Sequence, residues 1–168
     1  MKAKLVVEGK EFPIEINDPE LEKLVAPPKK TGYERTGELQ EYHCVFGNSE
    51  IGTCVEHLTS HNDEYYFEAN YYSSKVIASN NARADRLMRQ LRRFAVEHRS
   101  VGLNWDNKDM TKWVIYYNRT TNELATVSAC NAQYFGTIYF DMALHAREAI
   151  ELFHNELIWY FTKYKDSL

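Results

Sequence analysis

Apolar and polar positions alternate from the start of the chain: Leu5 and Val7 precede the turn Glu8-Gly9-Lys10, and Phe12, Ile14 and Ile16 follow with Pro13 and Glu15 between them. A period of two around a short polar turn predicts a β-hairpin, and Pro13, with no N–H to give a central ladder, marks an edge strand. Asn17 or Asp18 can then N-cap a short helix that carries Leu21, Leu24 and Val25, with Pro19 near its first position and Pro27-Pro28 as its stop. Residues 1–30 read as an N-terminal arm, with Lys29-Lys30-Thr31-Gly32 as a linker.

The remainder, 31–168, reads as a duplicated domain. Strands are expected near 39–46, 50–57 and 64–72 before a long helix over 80–98; strands near 112–118, 123–130 and 134–140 precede a second helix over 142–161. The predicted fold is therefore α+β: an N-terminal hairpin and short helix, then two tandem βββα units whose antiparallel sheets pack on two long helices.

In the first helix Ala84, Leu87, Met88, Leu91, Ala95 and His98 fall mostly at spacings of three and four, which turns Arg86, Arg89 and Arg93 outward. In the second, Met142, Ala146, Ala149, Ile150, Phe153, Leu157 and Phe161 make the core stripe, Asp141 is the expected N-cap, and Glu148, Glu151 and Asn155 point away. Leu144, Leu152, Ile158 and Trp159 lie off that stripe, so this helix is apolar on more than one side. Along the strands, alternation places Tyr65, Phe67, Ala69 and Tyr71 inward. It leaves Tyr66, Tyr72, Tyr116 and Tyr139 as an outward aromatic set.

Composition changes the picture in two ways. Aromatic residues make up 14% of the 168, an excess the strands absorb only in part. The net charge of −4 conceals a basic segment: residues 79–99 hold six Arg against Asp85 and Glu97, a local sum of +4 that leaves −8 on the rest. An acidic body opposes generic nucleic-acid binding, whose affinity rises with the number of phosphates neutralised. Only 7 Gly and 4 Pro exclude linker-like and collagen-like classes. The N-terminus has no signal-peptide apolar run, no stretch is long enough to span a membrane, and Cys44, Cys54 and Cys130 are odd in number without CxxC spacing. A cytoplasmic protein with reduced thiols and no cofactor is expected.

Four stretches resemble small proteins encoded in phages and prophages of Gram-positive, often gut, bacteria: Lys30-Thr31-Gly32-Tyr33-Glu34-Arg35; the helix Asn81-Ala82-Arg83-Ala84-Asp85-Arg86-Leu87-Met88-Arg89-Gln90-Leu91-Arg92-Arg93-Phe94-Ala95; the strand Lys112-Trp113-Val114-Ile115-Tyr116-Tyr117-Asn118; and Gly136-Thr137-Ile138-Tyr139-Phe140 with the closing Asn155-Glu156-Leu157-Ile158-Trp159-Tyr160-Phe161-Thr162. The resemblance covers most of the chain, departs from the pattern over 42–62, and brings no catalytic residue with it. It implies an accessory protein that binds and inhibits host machinery in a bacterial cytoplasm, defence nucleases included, in the manner of an anti-CRISPR protein.

Three constellations remain. Arg86, Arg89 and Arg93 would meet an acidic surface of a host protein, with Leu152, Trp159 and the outward tyrosines Tyr66, Tyr72, Tyr116 and Tyr139 as apolar contacts; a solvated face, or pairing with Glu148 and Glu151, is the alternative use of the arginines. The same arginines and tyrosines could serve nucleic acid instead, through phosphate contacts and base stacking. His43, Cys44, Cys54, His57 and His61 form a possible metal set if Asn48-Ser49 is the hairpin turn, which places His43 opposite Cys54, but the spacing matches no standard zinc module. Enzymatic motifs such as GxGxxG, the Walker A loop, GxSxG and HExxH are absent from the sequence, which favours a binder over a catalyst.

Overall fold

The computed structural model describes residues 2–7, 10–18, 30–129 and 132–164. The N-terminal hairpin is present as β1 (Lys2–Val7) and β2 (Lys10–Glu15), antiparallel with Leu5 opposite Phe12 and Lys4 opposite Pro13. The short helix expected after Asp18 lies outside the described residues. Two further antiparallel pairs follow, β3 (Glu41–Val45) with β4 (Ile51–Val55) and β5 (Lys112–Asn118) with β6 (Glu123–Ala129), so the described residues hold a mixed α and β fold with three two-stranded sheets.

The expected third strands are corrected to single bridges. His43 exchanges both main-chain hydrogen bonds with Tyr72 at 2.8 and 2.9 Å, and Trp113 does the same with Phe140 at 2.8 Å each way. In each half the bridging residue stands three positions before a helix, Tyr72 before α2 (Lys75–Glu97) and Phe140 before α3 (Ala143–Leu152). The order hairpin, bridge, helix thus recurs, without three-stranded sheets.

The first part of the span read as strand 64–72 belongs to helix α1 (Ser60–Phe67). Local capping decides this: the Thr59 hydroxyl accepts from the Asn62 N–H, and the Asn62 side chain accepts in return from the Thr59 N–H and hydroxyl. Asn62 is the one buried residue of this helix, so it has no apolar stripe to betray it, and its aromatic alternation mimics a strand. Its C-terminus closes in a Schellman turn, with Ala69 N–H bonded to Tyr66 C=O and Asn70 N–H to Tyr65 C=O, and with Ala69 at φ 55°. A Cβ in the left-handed region is strained. Ala69→Gly should therefore stabilise the protein by about 0.5–1 kcal/mol in chemical denaturation, after the entropy glycine adds to the unfolded chain is subtracted.

Helix α2 begins earlier than its apolar period suggests, because the Ser74 hydroxyl caps the Ile77 N–H ahead of the stripe. The second helix is not continuous: α3 ends at Leu152, Phe153 separates it from α4 (His154–Trp159), and Tyr160–Tyr164 is a π-helical turn. Met142, not Asp141, stands at the N-cap of α3. The main core joins Leu87, Leu91, Phe94 and Ala95 of α2 to Phe140, Ala146, Ala149 and Leu157, with Trp113, Ile115 and Leu124 of the β5–β6 hairpin packed against it. Met88 is only half-buried and His98 and Met142 are exposed, contrary to their place on the expected stripes. A smaller core in the first half stacks Tyr42 on Tyr71, with ring centroids 4.0 Å apart, over Cys44.

Candidate functional site

Burial of Leu87, Leu91, Phe94 and Ala95 fixes the rotation of α2 and turns Arg86, Arg89, Arg92 and Arg93 to solvent, all four exposed. Among the described residues Arg86 and Arg92 have no hydrogen bond or ion pair. Arg89 donates to the Ser49 hydroxyl at 2.8 Å, and Arg93 lies 3.8 Å from Glu97 across one helical turn. Exposed pairs of this kind contribute little to folding, so these guanidinium groups remain available. Glu148 and Glu151 do not answer them. Glu156 is the carboxylate that reaches α2, and it meets Arg83 in a two-pronged pair at 2.7 and 3.0 Å that holds the Glu156 carboxyl below the usual carboxylate range.

Arg83 also stacks over Trp159 at 4.0 Å, and Trp159 lies 5.7 Å from the Tyr164 ring, so this tryptophan is half-buried and serves the docking of the C-terminal turn onto α2. Leu152 is the exposed member of that pair, at 65% of its full accessibility, on the last turn of α3. The outward tyrosine set is not one face. Tyr66 sits on α1 against Tyr71 and below the Arg35 guanidinium; Tyr116 is partly exposed on β5; Tyr139 is half-buried edge-on to Trp105. Tyr72 is buried, which corrects its outward assignment: as the bridge partner of His43 its ring turns in against Tyr33, and burial pushes its phenol up to about 12.

The metal set does not converge. The β3–β4 loop runs over 46–50 instead of turning at Asn48-Ser49 alone, so His43 faces Thr53 and Tyr42 faces Cys54. That one-residue shift puts His43 and Cys54 on opposite sides of the hairpin. Among the described residues, no group of three or more metal-ligating side chains forms. Cys44 and Cys54 share a side with sulfurs 3.7 Å apart as free thiols, and burial pushes the Cys44 thiol up to about 12.

Sequence reading missed two polar centres. Glu56, wholly buried, accepts a two-pronged pair from Arg35 at 3.0 and 3.1 Å, the Tyr71 hydroxyl at 2.9 Å and the Leu58 N–H at 2.7 Å; these donors, Arg35 foremost, hold its carboxyl at about 2. Arg35 in turn reaches Asp63 at 2.7 Å. Glu34 accepts from the Thr31 and Gly32 N–H groups and the Ser73 hydroxyl, so two adjacent residues of the linker stitch it to the body. The second centre is Asp141 with His145, 2.7 Å apart and buried. Burial pushes the Asp141 carboxyl up, but hydrogen bonds from His145, Ser100 N–H and Val101 N–H outweigh it and leave the group lowered. The donors from 100 and 101 occupy Asp141, which is why it does not cap α3.

An apolar cavity of about 190 Å³ opens between α2 and the 135–138 segment, lined by Leu87, Met88, Ile138 and Phe161 among others, with Phe135 fully exposed at its mouth. No helix among the described residues is long and apolar enough to cross a membrane. No family model, no curated protein and no solved structure matches this chain.

Proposed function

We propose that this protein is a non-catalytic binding module that presents the α2 arginines to an acidic surface on a partner protein. The observation that carries this reading is the division of labour along one helix: Arg83 is consumed by Glu156 and Trp159, while Arg86, Arg89, Arg92 and Arg93 stand exposed on a chain whose other residues sum to a negative charge. A cationic stripe on an acidic body is repelled by an extended polyanion away from the stripe, and matches a partner of limited acidic area. The scatter of Tyr66, Tyr116 and Tyr139 over separate elements, with Tyr72 buried, also weakens the base-stacking alternative. The resemblance to phage and prophage accessory proteins supports a bacterial protein as the partner, a defence nuclease among the candidates.

The test is affinity capture from nuclease-treated bacterial extract with the natural protein and with Arg86→Glu/Arg93→Glu. The expected result is a stoichiometric protein retained by the first and lost by the second, with both proteins equally folded by circular dichroism. Retention of the same protein by both, or capture of nucleic acid alone before nuclease treatment, overturns the reading.

A further inference from the structure

The two hairpins of the body treat their outer edges unequally. In an antiparallel pair, main-chain groups point at the partner strand and away from it at alternate residues. His43 turns its groups to Tyr72, and the next outward residue, Val45, is met by the side-chain amide of Asn70 at 2.7 and 2.9 Å, so the β3 edge is filled by the chain itself. On β5 Phe140 fills Trp113 at the start of the strand, and among the described residues Ile115 and Tyr117 beyond it have no main-chain partner on that side.

The same alternation decides what β6 does. Because Trp113 bonds outward to Phe140, its opposite residue Ser128 must also point away from β5, as must Thr126 opposite Ile115 and Leu124 opposite Tyr117. Among the described residues, none of these three has a main-chain hydrogen bond to any other element. The strand is seven residues long, Glu123-Leu124-Ala125-Thr126-Val127-Ser128-Ala129, with no Pro, no Lys and no Gly. Such an edge lacks the proline, lysine and shortness with which natural sheets refuse a further strand, and keeps one charge, Glu123, at its end. The corresponding edge of β4 is shorter, is interrupted by Gly52, and has its Val55 carbonyl taken by Asn62.

We propose that β6 is an interaction edge that pairs antiparallel with β6 of a second copy of this chain, about a twofold axis at Thr126. The sequence is compatible with itself in this register. Thr126 meets Thr126, Leu124 meets Ser128, Ala125 meets Val127, and Glu123 meets Ala129, so the only charge on the strand never faces its own copy. Leu124, Thr126 and Ser128 then exchange both main-chain groups with the copy, and the sheet runs β5, β6, β6, β5. Val127, 45% exposed, and the partly exposed Tyr116 beside it on β5 gain cover on the same side of the sheet.

Sedimentation velocity across a wide concentration range reads the outcome. The natural protein should pass from monomer to dimer as concentration rises. Thr126→Pro removes only an N–H that points away from β5, so it should stay monomeric throughout with an unchanged circular dichroism spectrum. Val127→Pro, which removes a donor inside the β5–β6 ladder, should lose the hairpin itself. Thr126→Cys gives a readout independent of proline: the paired Cα atoms stand about 5.5 Å apart, within reach of a disulfide, so mild oxidation should yield a dimer whose peptide map links 126 to 126, while Glu123→Cys links to no copy of itself. A natural protein that stays monomeric at all concentrations, a dimer that survives Thr126→Pro, or equal cross-linking at 123 and 126 overturns the proposal.

Discussion

Glu56→Ala is expected to cost about 3–5 kcal/mol of folding free energy, the scale on which breaking one side of a buried ion pair acts. The side chain is wholly buried and holds three partners at once: the Arg35 fork, the Tyr71 hydroxyl and the Leu58 N–H. Removing the carboxylate leaves the partly buried Arg35 with Asp63 as its one ion-pair partner, leaves the Tyr71 hydroxyl with Thr36 alone, and leaves the Leu58 N–H unanswered. Chemical denaturation of the purified protein measures the loss directly. A pH series measures the same group without mutation. The Glu56 carboxyl sits at about 2 in the folded protein against an ordinary value near 4.5, so its contribution is fully present above pH 4.5 and is lost as pH falls from there toward 2. Glu34, also held at about 2 by main-chain donors, titrates in the same window and in the same direction. Stability that is flat between pH 7 and 5 and drops steeply below 4.5 is the expected profile. In Glu56→Ala the drop should be shallower, because one strongly lowered carboxyl is gone while Glu34, Asp141 and Glu156 remain.

Phe140→Ala should destabilise the protein by about 3–5 kcal/mol, since the ring is 1% exposed and stands at the centre of the core that joins α2, α3 and α4. The main-chain bridge to Trp113 can persist in this variant, because alanine keeps the N–H and C=O that form it. Loss of stability with retained hairpin hydrogen-exchange protection separates packing from bridging. Phe140→Leu, which refills most of the volume, should recover most of the loss.

The parts of the fold that sequence pattern revealed are those where one period dominates. Alternation placed β1 and β2, and the spacing of Leu87, Leu91 and Ala95 placed α2 and the outward direction of Arg86, Arg89 and Arg93. Pattern failed where local hydrogen bonding overrode it. The alternation of Tyr65, Phe67, Ala69 and Tyr71 suits a strand, yet the Thr59 and Asn62 cap at one end and the Schellman turn at the other settle a helix. The break after Leu152 has neither Pro nor Gly to announce it. At the candidate site, exposure of the arginines was legible from helical phase. The capture of Arg83 and Trp159 was not, because it depends on Glu156, distant by 73 positions in the chain. The burial of Tyr72 follows from its single bridge to His43 beyond a helix that the alternation hid, and the failure of the metal set from a one-residue shift of the β3–β4 register that composition does not encode.

By the function we propose, the exposed arginines of α2 meet an acidic protein surface. The most direct measurement is the association rate of the captured partner with the natural protein and with Arg86→Glu/Arg93→Glu, at low and at physiological ionic strength. Electrostatic steering predicts that the natural protein associates at least tenfold faster at low salt, that salt erodes this advantage, and that charge reversal abolishes it while the dissociation rate changes less. An association rate that is the same for both proteins and indifferent to salt would rule out the arginine stripe as the binding surface.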